Sequence, residues 1–266
     1  AHAQRFEREL GVTLVEQAQH CTFAVHAGQG RDAHVHAAPA DAQADAAVLR
    51  QALLGDVELG HDLQARDQRG VQRAVGLHHL AQRAVDVGTG AALLDACAAP
   101  GGKAFLIAAA LGSAEGLVCT DSNEKRLPRL EENLERLHAG KAVVSVHDWT
   151  KPAPPEWHES FDGILLDVPC SNTGVIRRRV DVRWRLQAPD IEKIAITQRK
   201  ILENALACLK PGGRIVYSTC SIEAEENEDL IAAVLIDHPE LHLGGTRQAL
   251  PQRDGTDGAF AACLSR

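Results

Sequence analysis

Short apolar runs alternate with amphipathic stretches from about residue 91 onward. In Glu124–Leu137, for example, four leucines fall on one helical face and charged residues fall on the other. The runs between such stretches suit buried strands, and the alternation of strand and helix predicts a parallel α/β sheet. Seven strands are predicted, at Ala92–Cys97, Leu117–Thr120, Ala142–Val146, Phe161–Leu166, Arg214–Ser218, Leu241–Leu243 and Ala259–Leu264.

Four helices are predicted among these strands. We expect the third helix to end at Lys210-Pro211-Gly212-Gly213, because Pro cannot continue a helix and Gly commonly ends one. The predicted helices are Ala104–Leu111, Glu124–Leu137, Asp190–Leu209 and Ala224–Ile236.

Residues 1–90 do not share this pattern. They contain no Lys, Ile, Asn, Ser, Met, Trp or Tyr. Helical spacing of Val, Leu and Ala predicts short helices at 40–54 and 71–85. The pairs His34/His36 and His78/His79 lack a Cys or carboxylate set to complete a metal shell, so no metal site is predicted. We leave this irregular, composition-biased segment unassigned, with a gene-model artefact as an alternative explanation.

Charge and cysteine content narrow the class of protein. The net charge of -8 argues against binding nucleic acid through bulk charge, although a local basic patch is compatible with it. No run approaches the ~20 apolar residues of a membrane span, and the polar start at residues 1–5 lacks the apolar core of a signal peptide. The seven cysteines show no paired spacing, which fits free thiols in a reducing cytoplasm.

Two cysteines follow predicted strands. The strand Phe161–Leu166 leads into Asp167 and a Pro-Cys-Ser loop that carries Cys170, and Cys220 follows the strand Arg214–Ser218. The carboxyl ends of parallel strands meet at one edge of an open α/β sheet, where ligands bind. Two thiols and a carboxylate at this edge indicate covalent chemistry on a base.

A second set of residues indicates a nucleotide-type ligand. The Gly-rich turn after the first strand lets the backbone approach a ligand closely and offers N–H groups at a helix start. We expect Asp121 to accept hydrogen bonds from ribose hydroxyls and Asp148 to reach an adenine amino group. For each acid alone, a helix cap or a solvated loop is the alternative. The turn matches neither a dinucleotide fingerprint nor a Walker loop, so an adenosyl ligand without pyrophosphate fits best.

Three motifs together resemble one family. They are Asp-Ala-Cys-Ala-Ala-Pro-Gly-Gly-Lys at 95–103, Asp-Val-Pro-Cys-Ser at 167–171, and Ser-Thr-Cys-Ser at 218–221 followed by Glu-Glu-Asn-Glu at 225–228. In this order they are similar to the Sun-type (RsmB-like) RNA cytosine-5 methyltransferases. The resemblance covers residues 91–266 and implies an S-adenosylmethionine-dependent catalytic domain with the Rossmann-like, seven-stranded sheet of class I methyltransferases.

The resemblance also implies roles for individual residues. Cys220 corresponds to the nucleophile that adds to cytosine C6, and Cys170 to the cysteine that helps to release the product. Asp167 is expected to hydrogen-bond the edge of the base. DNA cytosine-5 methyltransferases use the Pro-Cys cysteine as nucleophile, so the Thr-Cys-Ser motif favours RNA. The cofactor residues implied are Cys97, Ala98, Ala99, Pro100, Gly101, Gly102, Lys103, Asp121, Asp148 and Asp167.

The expected substrate is 16S ribosomal RNA, by family analogy alone. Transfer RNA and 23S ribosomal RNA are near alternatives, and a catalytically idle RNA- or cofactor-binding remnant is an alternative from another class. The best candidate for an RNA contact is a basic stretch formed by Arg177, Arg178, Arg179, Arg183, Trp184 and Arg185. The alternative interpretation of this stretch is a solvated basic loop. The sequence departs from the family pattern at Ala104, Val168 and Asn172, and it does not indicate an oligomeric state.

Overall fold

The computed structural model describes residues 90–111 and 113–266. The helices predicted at 40–54 and 71–85, and the two histidine pairs, lie outside these residues. In the described part of the chain, no helix is both long and apolar enough to cross a membrane.

The described residues form the predicted α/β sheet of seven strands. Its spatial order is β3-β2-β1-β4-β5-β7-β6, with β1 to β5 parallel and β7 antiparallel to both β5 and β6. The strands are β1 (Leu93–Asp95), β2 (Leu117–Asp121), β3 (Val143–Val146), β4 (Phe161–Asp167), β5 (Leu209–Thr219), β6 (His242–Ala249) and β7 (Ala259–Ser265).

Six α-helices accompany the sheet in this part of the chain. They are α1 (Gly102–Leu111), α2 (Leu127–Arg136), α3 (Val182–Arg185), α4 (Ala188–Leu206), α5 (Glu228–Asp237) and α6 (Pro251–Asp254). The helix predicted at Glu124–Leu137 begins as a 3₁₀ turn, Glu124–Arg126, because Pro128 occupies the first turn of α2. The short helices α3 and α6 were not predicted.

The central strands are apolar on both faces because helices cover both sides of the sheet. Successive side chains of a strand point to opposite faces, so β4 contributes Leu166 to one core and Leu165 to the other. The first core includes Leu202 of α4 and Val234 of α5, whereas the second includes residues of α1 and α2.

The prediction for Leu209–Gly213 was wrong. These residues begin β5 rather than end a helix, since α4 stops at Leu206. Leu209 is fully buried and pairs with Phe161 across a register shift between β4 and β5. Lys210 Nζ lies 2.9 Å from Asp162 Oδ1. These tertiary contacts override the local tendency of Pro-Gly-Gly to form a turn.

The strand β6 and the helix before it also differ in extent from their predictions. β6 is longer than the predicted Leu241–Leu243 because it pairs with β7 from His242 to Ala249. The helix predicted at Ala224–Ile236 is divided into a 3₁₀ turn, Ala224–Glu226, and α5.

Gly213→Ala is expected to destabilise the fold. An added Cβ would lie 2.7 Å from Leu209 Cδ1 and 2.9 Å from the Lys210 carbonyl oxygen. Relieving these clashes should cost about 2 kcal/mol of the free energy of unfolding, measured by urea denaturation. Gly140→Ala is the control, because its Cβ would come no closer than 3.5 Å to a neighbour. Equal stability of the two variants would contradict the proposed clash.

Candidate active site

The candidate site lies at the carboxyl edge of three neighbouring strands. Asp95 ends β1 and Asp167 ends β4, while Cys220 directly follows β5. Because these strands are parallel and adjacent in the order β1-β4-β5, their carboxyl ends deliver the three side chains to the same edge.

The two predicted cysteines meet at this edge. Cys170 Sγ lies 3.1 Å from Cys220 Sγ. Asn172, two residues after Cys170, joins the two cysteines. Its Oδ1 accepts a hydrogen bond from the Cys220 thiol at 3.1 Å, and its Nδ2 donates to the Cys170 carbonyl at 2.8 Å. Asn172 has a left-handed backbone with φ of 65°, which Asn tolerates better than most residues other than Gly. Asn172, where the sequence departs from the family pattern, therefore contacts both cysteines.

The contact between the two sulfurs shifts the pKa values of the two thiols in opposite directions. The hydrogen bond with Cys170 lowers the pKa of Cys220, against the opposing effects of burial and of the Asp167 charge, and Lys103 lowers this pKa further. The same hydrogen bond, together with burial, raises the pKa of Cys170. Both shifts favour Cys220 as the sulfur that ionises, and the geometry allows Cys170 to donate its S–H to the Cys220 thiolate.

Lys103 and Ser218 hold Asp167 in place. Lys103 Nζ donates to Asp167 Oδ2 at 2.5 Å, and Ser218 Oγ donates to Oδ1 at 3.0 Å. Lys103 is in the first turn of α1, so this ion pair joins the Gly-rich turn to the cysteine loops. The side chain of Asp167 remains partly exposed and can also accept a hydrogen bond from a ligand.

The Gly-rich turn is held by backbone hydrogen bonds. Gly101 donates to the Ala98 carbonyl at 2.7 Å, and Ala98 donates to the Thr120 carbonyl of β2 at 2.8 Å. The guanidinium of Arg126 donates to the Ala99 carbonyl. The turn opens into α1 at Gly102, so the free N–H groups of the helix start face the carboxyl edge of the sheet.

Asp95 is a buried carboxylate beside this turn. It is 0% exposed, and neither of its oxygens makes a well-formed hydrogen bond within residues 90–111 and 113–266. Burial raises its pKa to about 7, although the positive charge of Lys103 acts in the opposite direction. An unpartnered carboxylate of this kind suits a site that receives a cationic ligand.

The other two predicted acids already have protein partners. Asp121 Oδ2 lies 3.1 Å from Arg126 Nη1, and Asp121 Oδ1 accepts from the backbone N–H of Asn123 at 3.0 Å. Asp148 Oδ1 accepts from both the N–H and the hydroxyl of Thr150. The contacts of Asp148 are those of the loop-capping alternative, and the adenosyl roles of both acids stay predictions.

The predicted RNA contact is only partly free. Asp257 pairs with Arg177 at 3.2 Å and with Arg178 at 2.7 Å. Trp184 on α3 is 83% exposed. A groove near the cysteine loops is lined by Thr173, Gly174, Ile176, Arg177, Pro251, Gly255, Thr256 and Asp257.

Sequence reasoning missed several residues at this site. Asn172, Gln198 and Glu226 all bond to the cysteine loops. Asn172 differed from the family pattern, and Glu226 lies in an acidic run after Cys220, but neither pattern indicates the contact itself.

Alkylation should distinguish the thiols. Cys220 should react first with iodoacetamide near neutral pH, because the thiolate is the reactive form. Cys119 and Cys208 are fully buried, and burial raises the pKa of Cys208 to about 12, so both should react only after unfolding. Mass spectrometry of the labelled peptides measures this order.

Cys170→Ala is the matched variant in that experiment. It removes the S–H donor, so the alkylation curve of Cys220 should move to higher pH. Labelling of Cys170 before Cys220 in the unaltered protein would contradict the assigned acidities.

Asp95→Asn should change the dependence of stability on pH. The folded protein binds the Asp95 proton with a pKa of about 7, against an ordinary value of 3.8. The folded state thus holds this proton more tightly, so its contribution to stability falls as pH rises from about 4 to about 7. Asparagine does not titrate, so the variant should not lose this stability. Its free energy of unfolding, relative to that of the unaltered protein, should be about 2 kcal/mol higher at pH 8 than at pH 5.

Thermal unfolding without ligand measures this effect. Asp229→Asn, at an exposed position, is the control. Its difference in stability from the unaltered protein should be the same at pH 5 and at pH 8. A pH-independent gain for Asp95→Asn would mean that Asp95 is ionised throughout.

Comparison with known proteins identifies the family. A family model described as 16S rRNA methyltransferase RsmB/F matches residues 83–265. The chain is 45% identical over 187 residues to the ribosomal RNA small subunit methyltransferase B of Yersinia pseudotuberculosis, and the same figures hold for that of Yersinia pestis. The match covers 67% of this chain but only 43% of the relative, so it spans less than half the length of the curated protein.

Solved structures agree with the fold. A methyltransferase homolog from Pyrococcus horikoshii superposes with a TM-score of 0.61 at 29% identity, over 72% of this chain and 66% of that one. NSun6 from the same organism, solved with SFG, gives a TM-score of 0.60 at 27% identity, over 71% and 50% of the two chains. The sheet is thus the Rossmann-like sheet of class I methyltransferases, and the chain belongs to the RsmB/F family of 16S rRNA methyltransferases.

Proposed function

We propose that this protein transfers a methyl group from S-adenosylmethionine to C5 of a cytosine in RNA, and that its substrate is 16S ribosomal RNA. The observation that carries this proposal is the cysteine pair. Cys170 and Cys220 come from different strand ends, lie 3.1 Å apart, and have pKa values shifted in opposite directions.

Cytosine C5 is a weak nucleophile, so the reaction needs covalent activation. The Cys220 thiolate adds to C6, and the electron pair of the C5–C6 bond becomes available at C5 for attack on a methyl group. Covalent catalysis of this kind divides one difficult step into easier ones. Asp167 is held by Lys103 and Ser218, and it accepts a hydrogen bond from the polar edge of the base.

The same thiol pair serves the last step. After methylation, a base removes the C5 proton, the C5–C6 double bond re-forms, and Cys220 leaves as a thiolate. The hydrogen bond from Cys170 that lowers the pKa of Cys220 also makes Cys220 a better leaving group. This gives Cys170 a role in product release, as the family resemblance implies.

The residues around the Gly-rich turn fit the proposed methyl donor. S-adenosylmethionine carries a positive sulfonium that supplies the methyl group. Within the described part of the chain, the carboxylate of buried Asp95 makes no well-formed hydrogen bond. The backbone of Cys97–Lys103 and the start of α1 would hold the donor. Asp121 and Asp148 are proposed to contact its ribose and adenine by accepting hydrogen bonds beyond those they already make.

RNA would reach this edge along the basic stretch from Arg177 to Arg185. The net charge of the chain is -8, so local cations rather than bulk charge would contact the phosphates. Exposed Trp184 can stack on a splayed base. The target cytosine must leave its stack to reach the cysteines. The named activity of the Yersinia relatives supports small-subunit ribosomal RNA over transfer RNA or 23S RNA.

A trapped protein–RNA complex tests the proposal. Cys170→Ala should slow release of the methylated product and accumulate a covalent adduct with unmodified RNA and S-adenosylmethionine. On a denaturing gel, a band that survives denaturation is expected, strongest with the 16S fraction. Turnover should fall to about one methyl group per enzyme.

The controls separate the alternatives. The band should vanish when Cys220→Ala is added or when S-adenosylmethionine is omitted. Trapping by Cys220→Ala alone would reverse the two cysteine roles. Absence of both trapping and methyl transfer, with every RNA fraction, would favour the idle remnant.

A further inference from the structure

One buried carboxylate joins the two cysteine loops. Glu226 is 0% exposed. Its Oε2 accepts a hydrogen bond from the backbone N–H of Ser171 at 2.9 Å, and its Oε1 accepts from the hydroxyl of Ser221 at 2.7 Å. Ser171 and Ser221 are the residues directly after Cys170 and Cys220. A single side chain therefore fixes the position of both loops immediately beside the reacting thiols.

Helix α4 adds a third donor. Gln198 Nε2 donates to Glu226 Oε2 at 2.8 Å and to the Pro169 carbonyl at 2.9 Å. Pro169 and Ser171 flank Cys170, so the loop is held on both sides of that thiol. The Tyr217 hydroxyl donates to the backbone carbonyl of Glu226 at 2.7 Å, which fixes the carboxylate relative to β5.

Other hydrogen bonds also join the two loops, but they connect neutral groups. Thr173 Oγ1 lies 3.1 Å from Ser221 Oγ, and the backbone N–H of Gly174 donates to the Cys220 carbonyl at 3.0 Å. Hydrogen bonds to an ionised carboxylate are roughly twice as strong as these. A buried carboxylate without partners would be costly, and the three donors from Ser171, Gln198 and Ser221 therefore hold the Glu226 carboxylate in one position.

We propose that Glu226 is a positioning residue, which holds Cys170 and Cys220 at the separation at which one thiol donates a hydrogen bond to the other. It does so through Ser171 and Ser221 rather than by contact with the substrate. The catalytic meaning of this separation rests on the proposed function. The geometric claim, that Glu226 sets the distance between the sulfurs, does not.

Loss of the carboxylate should weaken both ends of this link. In Glu226→Gln, one oxygen can still accept from Ser171 and Gln198, but an NH₂ group then faces the Ser221 hydroxyl. The loops gain freedom, the contact between Cys170 and Cys220 is made less often, and the pKa of Cys220 rises. A misplacement of about 1 Å can reduce a rate by about 10²-fold, so a partial loss of alignment should cost roughly 10-fold.

Oxidative cross-linking of the full chain measures the sulfur separation without RNA or S-adenosylmethionine. Diamide takes two hydrogens from the two thiols and becomes a hydrazine, while Cys170 and Cys220 form a disulfide that peptide mass spectrometry quantifies. We expect Glu226→Gln to form this disulfide several-fold more slowly. The iodoacetamide curve of Cys220 should move to higher pH, and kcat for methyl transfer should fall roughly 10-fold with KM for RNA unchanged.

Glu225→Gln is the matched control, because the same substitution falls on the exposed neighbour, and all three readouts should stay at the unaltered values. If thermal unfolding shows that Glu226→Gln is not folded at the assay temperature, Ser221→Ala replaces it. This variant removes the hydrogen bond to Oε1 together with the contacts that the Ser221 hydroxyl makes with Ser171, Thr173 and Glu223. It leaves the Oε2 bonds to Ser171 and Gln198 in place and should change the readouts in the same direction.

Two results would overturn the proposal. One is a folded variant whose cross-linking rate and Cys220 alkylation curve both match the unaltered protein. The other is a fall in kcat without any change in those thiol readouts, which would assign Glu226 a general structural role. If the unaltered protein methylates no RNA while Glu226→Gln still slows cross-linking, the positioning role is upheld and the proposed function fails.

Discussion

The candidate site depends on the attraction between the positive charge of Lys103 and the acidic groups around it. Its ammonium pairs with Asp167 and opposes the rise in the pKa of Asp95 that burial causes. It also adds to the lowering of the pKa of Cys220, whose largest cause is the hydrogen bond with Cys170. Without it, two carboxylates and a thiolate would face one another at a largely buried edge, where like charges repel strongly. Lys103 comes from the Gly-rich turn, so the proposed donor-binding loop and the cysteine loops share one electrostatic centre.

This arrangement also explains why the thiol pair is asymmetric. The hydrogen bond with Cys170 lowers the pKa of Cys220 and Lys103 lowers it further, whereas the same hydrogen bond and burial raise the pKa of Cys170. Acid and base roles are commonly divided in this way, by environments that move two similar groups in opposite directions. Here the division requires loops from two strands to stay in register, which the buried hydrogen bonds of Glu226 provide.

Much of the fold could be predicted because the central strands are buried on both faces. The predicted strand Phe161–Leu166 differs from β4 by a single residue, and Leu117–Thr120 differs from β2 by one. Leu209–Gly213 was mispredicted because its strand conformation depends on pairing with Phe161, which Pro-Gly-Gly does not reveal. Cys170, Cys220 and Asp167 could be brought together from sheet topology alone. Asn172 and Glu226 could not, because their contacts depend on the conformations of the loops after β4 and β5 and not on the order of the strands.

The position of β7 has a consequence for the order of assembly during synthesis. Among the described strands, β6 joins the sheet only through β7, which lies between it and β5. β6 is made before β7 and therefore leaves the ribosome with no partner for its backbone. The edge of β5 likewise stays open until β7 is made. Gly258, which directly precedes β7, donates to the Gly174 carbonyl in the loop after Cys170, so the cysteine loops of a nascent chain complete their contacts only when this strand arrives.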